Sequence, residues 1–468
     1  LWAGAAILAA GGILLLNAAS TLPVNYDTGT YHQQVIRWIT TYPAVPGLAN
    51  IHVRLGYNSA WLTSGAIFSF PFIKQGPFYP VSAFVFILFH IYAFSPIRGI
   101  LRGDRVKISG LLRLILGAAS FVYLITQASS PGTDAPTTLF TWYLVCEAVR
   151  LIEERQPAEN GQFILLGSLA VFCVTAKLAS LPLAASVLVL AVILAMRKNF
   201  GGLAWLAGLS AFFFLPYLGR NLILSGYFIY PGFGWDPFQF DWRVPAAAAR
   251  EEARVIHWFA SSPGTPFDTF QTLRILDWAP GWFAKLLPRQ KALMAACAGL
   301  PLILAGLAAL SKNLRNSLRS AAWLLAVQLI LLAGILFWFF SAPAVRFGYG
   351  FLAAFAALPG CIVLDWFIHR LAGRLRFWRL ALPIGLLAVL LIFSRPYWSL
   401  GDLSARWLLP VRPTVYSSAP CQFKNFRSMC QDNEVRACHY SIFPCVIYGN
   451  PAVEKRGESL REGFRYAP

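Results

Sequence analysis

Charge is the scarcest property of this chain. Of its 468 residues only 13% are Asp, Glu, Lys or Arg, against 57% hydrophobic and 15% aromatic, and the mean hydropathy is +0.58. A soluble domain of this length has too little interior to hide so much apolar surface, so a wholly soluble fold is excluded. Acids are rarer still. Asp27 is the only one before Asp104, and Asp134 is the only one between Asp104 and Glu147. The net charge of +19 invites a nucleic-acid reading. No basic cluster is interleaved with base-stacking aromatics, however, and nucleic acid is set aside. Nor is there an internal repeat, a low-complexity tract or the inverted-repeat pattern common in transporters.

What is present is a series of apolar runs, and a helix crosses a bilayer in about 20 residues. Eleven candidates are centred on 2–20, 77–95, 110–128, 137–153, 161–176, 180–196, 203–219, 293–311, 321–342, 350–369 and 380–395. With a cytoplasmic amino terminus, every strongly basic short loop falls on the inner side, as the positive-inside rule requires. These loops hold Arg98, Arg102, Arg105 and Lys107, then Arg150 and Arg155, then Arg197 and Lys198. Lys312, Arg315 and Arg319 follow, and finally Arg370, Arg374, Arg376 and Arg379. The expected fold is thus an all-α polytopic membrane protein of about eleven transmembrane helices, over residues 1–395, with an extracytoplasmic tail from 396 to 468. Extracytoplasmic loops are expected at 21–76, 129–136, 220–290 and 343–349, with a helix around Pro245 to Phe259. The apolar patch Ser59–Ile73 is short, ends at Pro71 and is expected to lie at the interface or re-enter. Lys177 separates two short runs that are either two spans or one broken helix. Leu1 opens inside a hydrophobic run without Met or basic leader, so the sequence reads as part of a longer chain. Leu1–Leu16 is expected to be a span rather than a signal-peptide core, since no cleavage site follows.

Cysteines divide into two groups. Cys146, Cys173, Cys297 and Cys361 lie in expected spans and read as small apolar residues. Cys421, Cys430, Cys438 and Cys445 cluster in the tail, where two disulfides in an oxidising compartment are expected. Zinc is the alternative, and the absence of Cys-x-x-Cys spacing weighs against it. Three pairings remain open.

The segment Asn25-Tyr26-Asp27-Thr28-Gly29-Thr30-Tyr31-His32 places a lone acid at the membrane–water boundary, where an ionisable group is a functional hypothesis by default. Asp27-Thr28-Gly29-Thr30-Tyr31 resembles the first-loop acidic motif of GT-C glycosyltransferases, integral membrane enzymes that take sugars from polyprenyl-phosphate carriers. In the protein O-mannosyltransferase and lipid A aminoarabinose transferase branches that motif reads Asp-Glu-x-x-Tyr, and here Thr28 stands in place of the Glu. Gly132-Thr133-Asp134-Ala135-Pro136, followed by Leu139-Phe140, resembles a second outer-loop acid of such enzymes. The wider pattern is similar to an allied, uncharacterised bacterial multi-spanning family. It matches over Tyr26 to Trp61, Arg220 to Pro231, and the tail with Arg456-Gly457 and Gly463-Phe464.

The resemblance implies a GT-C-like fold and transfer of a sugar from a lipid-linked donor to a glycan, lipid or protein acceptor. It also implies residence in the bacterial cytoplasmic membrane. An inverting transfer needs a base within hydrogen-bond reach of the acceptor. Asp27 is the candidate base, and capping the helix expected near Thr30 is its structural alternative. Asp134 either orients the acceptor or a cation, or caps the span starting at Pro136. His32 assists the base or contacts phosphate, and Tyr31 completes the first motif on the substrate side. For the leaving lipid phosphate the candidates are Arg220 and Arg346, with Lys177 and Arg54 in reserve, although cations at helix ends often merely snorkel. No metal is assigned; a divalent cation is compatible but not required, and no other cofactor is expected. Trp235, Trp242, Trp258, Trp278 and Trp282 either stack on sugar rings or form an interfacial belt. The rival functions are a polysaccharide polymerase or ligase using lipid diphosphates, and a non-catalytic membrane subunit or transporter. A transporter is disfavoured because its key charges approach the bilayer midplane.

Overall fold

Backbone that enters lipid has no water to bond, so apolar runs close their hydrogen bonds within helices. The computed structural model of this chain is mostly helical. It describes residues 2–21, 23, 25–70, 79–104, 106–154, 160–232, 237–261, 265–371, 378–397, 418–431, 438, 440 and 442–467. Arg105, Arg155, Arg374, Arg376, Trp235 and the stretch 71–73 lie outside the described residues.

The first helix, α1 (Trp2–Ala19), leads into a π-helical turn, Thr28–His32, and a set of short helices: α2 (Gln33–Thr41), α3 (Leu48–Ile51) and α4 (Ala60–Ile67). With eight residues α4 rises about 12 Å, far short of the roughly 30 Å of a hydrocarbon core. Further helices follow, most of them longer and several apolar. They are α5 (Pro80–Phe94), α6 (Ile97–Arg102), α7 (Ile108–Tyr123), α8 (Asp134–Glu154), α9 (Asn160–Ala176), α10 (Ala184–Met196) and α11 (Phe200–Ser225). A peripheral group comprises α12 (Ala246–Ser261), α13 (Phe267–Phe270) and α14 (Ile275–Lys285). Then come α15 (Pro288–Leu310), the short basic α16 (Lys312–Ser320), α17 (Trp323–Ser341), α18 (Val345–Leu371) and α19 (Trp378–Ser394).

Among the described residues, six segments are long and apolar enough to cross a membrane: Pro80–Arg102, Leu178–Met196, Phe200–Ser225, Pro288–Leu310, Trp323–Ser341 and Val345–Ile368. The protein is therefore membrane-embedded. Large apolar side chains along these helices face outward, including Leu188, Phe212, Leu302 and Leu325, as contact with lipid rather than water allows. Length and composition support six crossings directly, where eleven were expected. The other five candidates are helical, but α7, α9 and the apolar part of α19 are short, α1 has 18 residues, and α8 carries Glu147, Arg150, Glu153 and Glu154. At Lys177 the backbone turns extended, and a 3-10 turn over Leu178–Leu183 restarts the helix. Because α9 and α10 pack against each other, they are two helices rather than one broken rod.

The main core lies within the bundle, around the buried face of α8. Trp142 and Cys146 are fully enclosed among α5, α7 and α18. Trp142 Nε1 donates to the Gly350 carbonyl at 3.1 Å, which fixes α8 against the first turns of α18.

A second core forms beyond the bundle, and here the chain departs from an all-α reading. The C-terminal region contains β1 (Ser418–Gln422), β2 (Arg427–Gln431), β3 (Cys445–Val446), β4 (Val453–Lys455) and β5 (Phe464–Tyr466). β1 and β2 are antiparallel, β3 joins β2 in parallel, and β4 pairs with β5. The disulfides are Cys421–Cys430 and Cys438–Cys445, so one of the three open pairings is selected. These strands share their core with α2, α3 and α4: Ile36, Trp38 and Leu48 pack with Val446, Val453 and Phe464. Trp38 meets Phe443 and Phe464 edge-on, contacts worth about 0.5–1.5 kcal/mol each beyond buried area. Two glycines allow the closest approach. Gly463 has φ +93° and a side chain there would meet the Pro46 carbonyl, while Gly47, at φ +64°, faces the Phe464 carbonyl. Both positions are left-handed and crowded, so only glycine fits without strain. This core covers the end of the bundle that carries Asp27, the Asp27 end.

Candidate functional site

The site is built by five segments that meet at the Asp27 end. Asp27 precedes the π-helical turn, a geometry often found at functional sites. Its backbone is αR and its side chain makes no capping bond, so the capping alternative fails. The carboxylate pairs instead with Arg346 Nη2 through Oδ2 and with Arg54 Nη1 through Oδ1 at 3.7 Å. Arg346 also donates to Asn25 Oδ1 at 3.3 Å. Its Nε lies 3.5 Å from Asp134 Oδ2, and Asp134 Oδ1 accepts from Lys177 Nζ.

Each side chain arrives for a local reason. Asp134 is the first residue of α8, two before Pro136, and an acid there is favoured by the unpaired N–H groups of the first turn. Arg346 was expected in a loop at 343–349, but the helix α18 starts at Val345 and places it in the first turn. The Trp142–Gly350 bond, one turn further along, sets α8 and α18 at the spacing that lets Arg346 reach Asp134. Lys177 comes from the break before the 3-10 turn, and its ammonium sits 3.8 Å from the centre of the Phe347 ring. The result is one connected ion network of two carboxylates and three cations. The Asp134 side chain is 8% exposed and that of Arg346 30%, so the network is enclosed but reaches solvent. At 4 Å a charge pair attracts by roughly 4 kcal/mol at the effective dielectric near a protein surface, against about 1 kcal/mol in water.

Tyr31 and His32 flank the network. The Arg54 guanidinium lies 5.8 Å from the centre of the Tyr31 ring, and the Tyr31 and His32 rings meet edge-on. Burial holds the Tyr31 phenol well above its ordinary value, with Asp27 adding to the effect. Burial pushes the His32 imidazole down to about 4, against the opposing pull of Asp27 and Asp134. His32 is therefore neutral at pH 7, and its buried Nδ1 has no hydrogen-bond partner among the described residues. The loop leading to α8 closes on the same place: Thr28 Oγ1 and Ser130 Oγ are 2.6 Å apart.

The remaining candidates fall elsewhere. Arg220 is inside α11. Among the described residues it pairs with neither Asp27 nor Asp134, and its Nε is buried without a partner. Trp242 packs flat on Phe240 and donates to the Leu222 carbonyl at 3.1 Å, while Arg456 lies over its ring. Trp258 donates to the Thr265 carbonyl. Trp278 and Trp282 pack against α17.

Sequence reasoning missed a further buried acid beside the network. Glu252 of α12 accepts a hydrogen bond from Tyr57 Oη, and Tyr57 meets Tyr31 edge-on. Burial pushes the Glu252 carboxyl upward, and burial together with Glu252 holds the Tyr57 phenol well above its usual value. Glu252 lies 195 residues beyond Tyr57, in a run with Glu251 and Arg250 that reads as an ordinary solvated helix. Its only forewarning was its place in the 220–290 segment, which holds six of the chain's 20 acids.

Residues 3–353 match the family model described as "Domain of unknown function (DUF8201)". The chain belongs to this family. The matched DUF8201 segment contains Asp27, Arg54, Asp134, Lys177 and Arg346, and ends before the disulfide-bonded strands. No curated protein and no solved structure matches the chain.

Proposed function

We propose that this protein is a GT-C-type glycosyltransferase of the bacterial cytoplasmic membrane. It would move a sugar from a polyprenyl-phosphate donor to an extracytoplasmic glycan, lipid or protein. The observation that carries the proposal is the charge balance of the ion pairs: three cations face two carboxylates, so the paired groups carry one positive charge in excess at a membrane end, with Glu252 acting on Arg54 from outside the pairs. A lipid phosphate supplies the missing negative charge.

In this reading eleven helices cross the membrane, the amino terminus is cytoplasmic, and the Asp27 end faces outward. The basic α16, and the Arg197-Lys198 turn between α10 and α11, lie at the ends of their helices opposite Ser225 and Ser341, which supports that orientation. The donor phosphate draws Arg346 and Lys177 onto its oxygens, and Arg346 thereby uncovers Asp27 Oδ2. The acceptor hydroxyl oxygen then attacks the anomeric carbon while its proton passes to Asp27. The bond from that carbon to the phosphate oxygen breaks, and the lipid phosphate leaves with its electron pair, stabilised by the cations. Neutral His32, with a free ring nitrogen, is placed to take the proton onward. No step calls for a divalent cation.

The test is transfer in proteoliposomes, read as polyprenyl phosphate released from a radiolabelled polyprenyl-phosphate hexose. Asp27→Asn is expected to reduce release by about 10²-fold or more with insertion unchanged, and chelators are expected to leave the rate unaltered. Undiminished release by the Asn variant would remove Asp27 as base.

A further inference from the structure

A polar cleft opens at the Asp27 end, beside the α17–α18 connection. It has a volume of about 540 Å³ and is walled by α12, α13, α14 and the last turn of α17. Its polar lining comes from Arg250, Arg254, His257 and Gln271, and its apolar lining includes Trp278 and Phe340. No carboxylate is among the lining residues. Arg254 donates to the neutral Gln271 Oε1 at 3.1 Å and forms no ion pair among the described residues. The floor is fixed: His257 Nδ1 donates to the Ser341 carbonyl at 3.1 Å, its ring lies edge-on to Trp278, and Trp282 Nε1 donates to the Pro343 carbonyl at 3.0 Å.

We infer that this cleft binds the headgroup of an anionic phospholipid. Two arginines on the i and i+4 positions of α12 share one face and converge on the opening, and guanidinium is the side chain best shaped for phosphate oxygens. The volume suits a phosphoglycerol group rather than a single small ion. The rim separates a lipid from a free anion. Phe340, which lines the cleft, is 60% exposed and ends a membrane-crossing helix. A soluble phosphate would leave that apolar rim wet, whereas acyl chains cover it and continue into the bilayer alongside α17. This inference is independent of the transferase reading, because neither arginine belongs to the Asp27 network.

The experiment is native mass spectrometry of the delipidated full chain titrated with phosphatidylglycerol and, separately, with phosphatidylcholine. Phosphatidylglycerol is expected to bind more tightly. The Arg250→Ala/Arg254→Ala variant is expected to lose that preference by roughly 30-fold, as follows from about fivefold for each arginine near an anionic headgroup. Arg250→Lys/Arg254→Lys is expected to keep most of it. Should the double alanine variant fail to fold, Arg254→Gln alone is expected to weaken phosphatidylglycerol by about fivefold. Equal binding of the two lipids, or a preference untouched by these substitutions, would overturn the proposal. So would full displacement of phosphatidylglycerol by millimolar inorganic phosphate, which would mark a soluble-anion site instead.

Discussion

The two ends of α8 carry charge in opposite ways. At its first residue, Asp134 pairs with Lys177 and Arg346, and Arg346 continues to Asp27, 319 positions away in the chain. At its other end, Arg150 pairs with Glu147 and Glu154 at i,i+3 and i,i+4 spacing. There Glu153 accepts from the Ile108 and Ser109 amides and so caps α7. Acids near a helix carboxyl terminus oppose the macrodipole, and Arg150 offsets that locally. The second cluster is balanced by its own helix and by its neighbour's start, which is what a structural network requires. The first draws five segments together, and its ion pairs hold more cations than carboxylates. Under the function proposed above, the difference separates charge that holds a fold from charge that awaits a ligand.

The largest expected effect breaks the first cluster. Asp134→Ala leaves Lys177 enclosed without its partner, and thermal melts in detergent should show a loss of about 3–5 kcal/mol. A loss near zero would make the pairing incidental. Next is acidification. His32 lies beside the first cluster, is 4% exposed, and titrates near 4 when folded, whereas the unfolded imidazole titrates near 6.5. The unfolded chain therefore binds the proton first. Stability from this group is full above pH 6.5, falls as pH drops towards 4, and changes no further below that. The loss is on the order of 3 kcal/mol. Glu252, pushed upward by burial, works in the opposite sense, so the informative measurement is wild type against His32→Asn over that window. Hydrogen exchange should loosen at the Asp27 end and not around Glu154.

A smaller effect is expected from Gly463→Ala. It forces a left-handed residue against the Pro46 carbonyl, costing about 1–3 kcal/mol and exposing β5 to exchange. The smallest belongs to the second cluster. Glu154 is a third exposed and its partner Lys107 more than half, so Glu154→Gln should cost no more than about 1 kcal/mol. A cost equal to that of Asp134→Ala would erase the contrast.

Much of this was legible from residue type alone. The scarcity of acids singled out Asp27 and Asp134, and the short outer connections singled out Arg346 and Lys177. Sequence order could not tell that Arg346 touches both carboxylates while Arg220 touches neither. Cations at helix ends look alike until helix rotation and offset are known. Glu252 escaped notice because an acid in a polar helix carries no sign of burial; only the packing of α12 over Tyr57 encloses it. The capping role open to Asp27 failed for a similar reason. Local propensity favours the cap, and two arginines from distant segments outcompete it.

By itself, then, the order of residues determined that the chain enters a membrane, because hydrophobicity accumulates along a run regardless of its neighbours. It also determined that four cysteines would cluster outside the apolar runs, and that few ionisable groups were available for chemistry. Only the tertiary structure decided which cysteine meets which and which cation meets which acid. It alone decided that the C-terminal strands complete the core begun by α2 and α3. Apart from the disulfides, whose cysteines lie 9 and 7 residues apart, those outcomes depend on distances between segments tens to hundreds of residues apart, and such distances are set by helix packing rather than by any local preference.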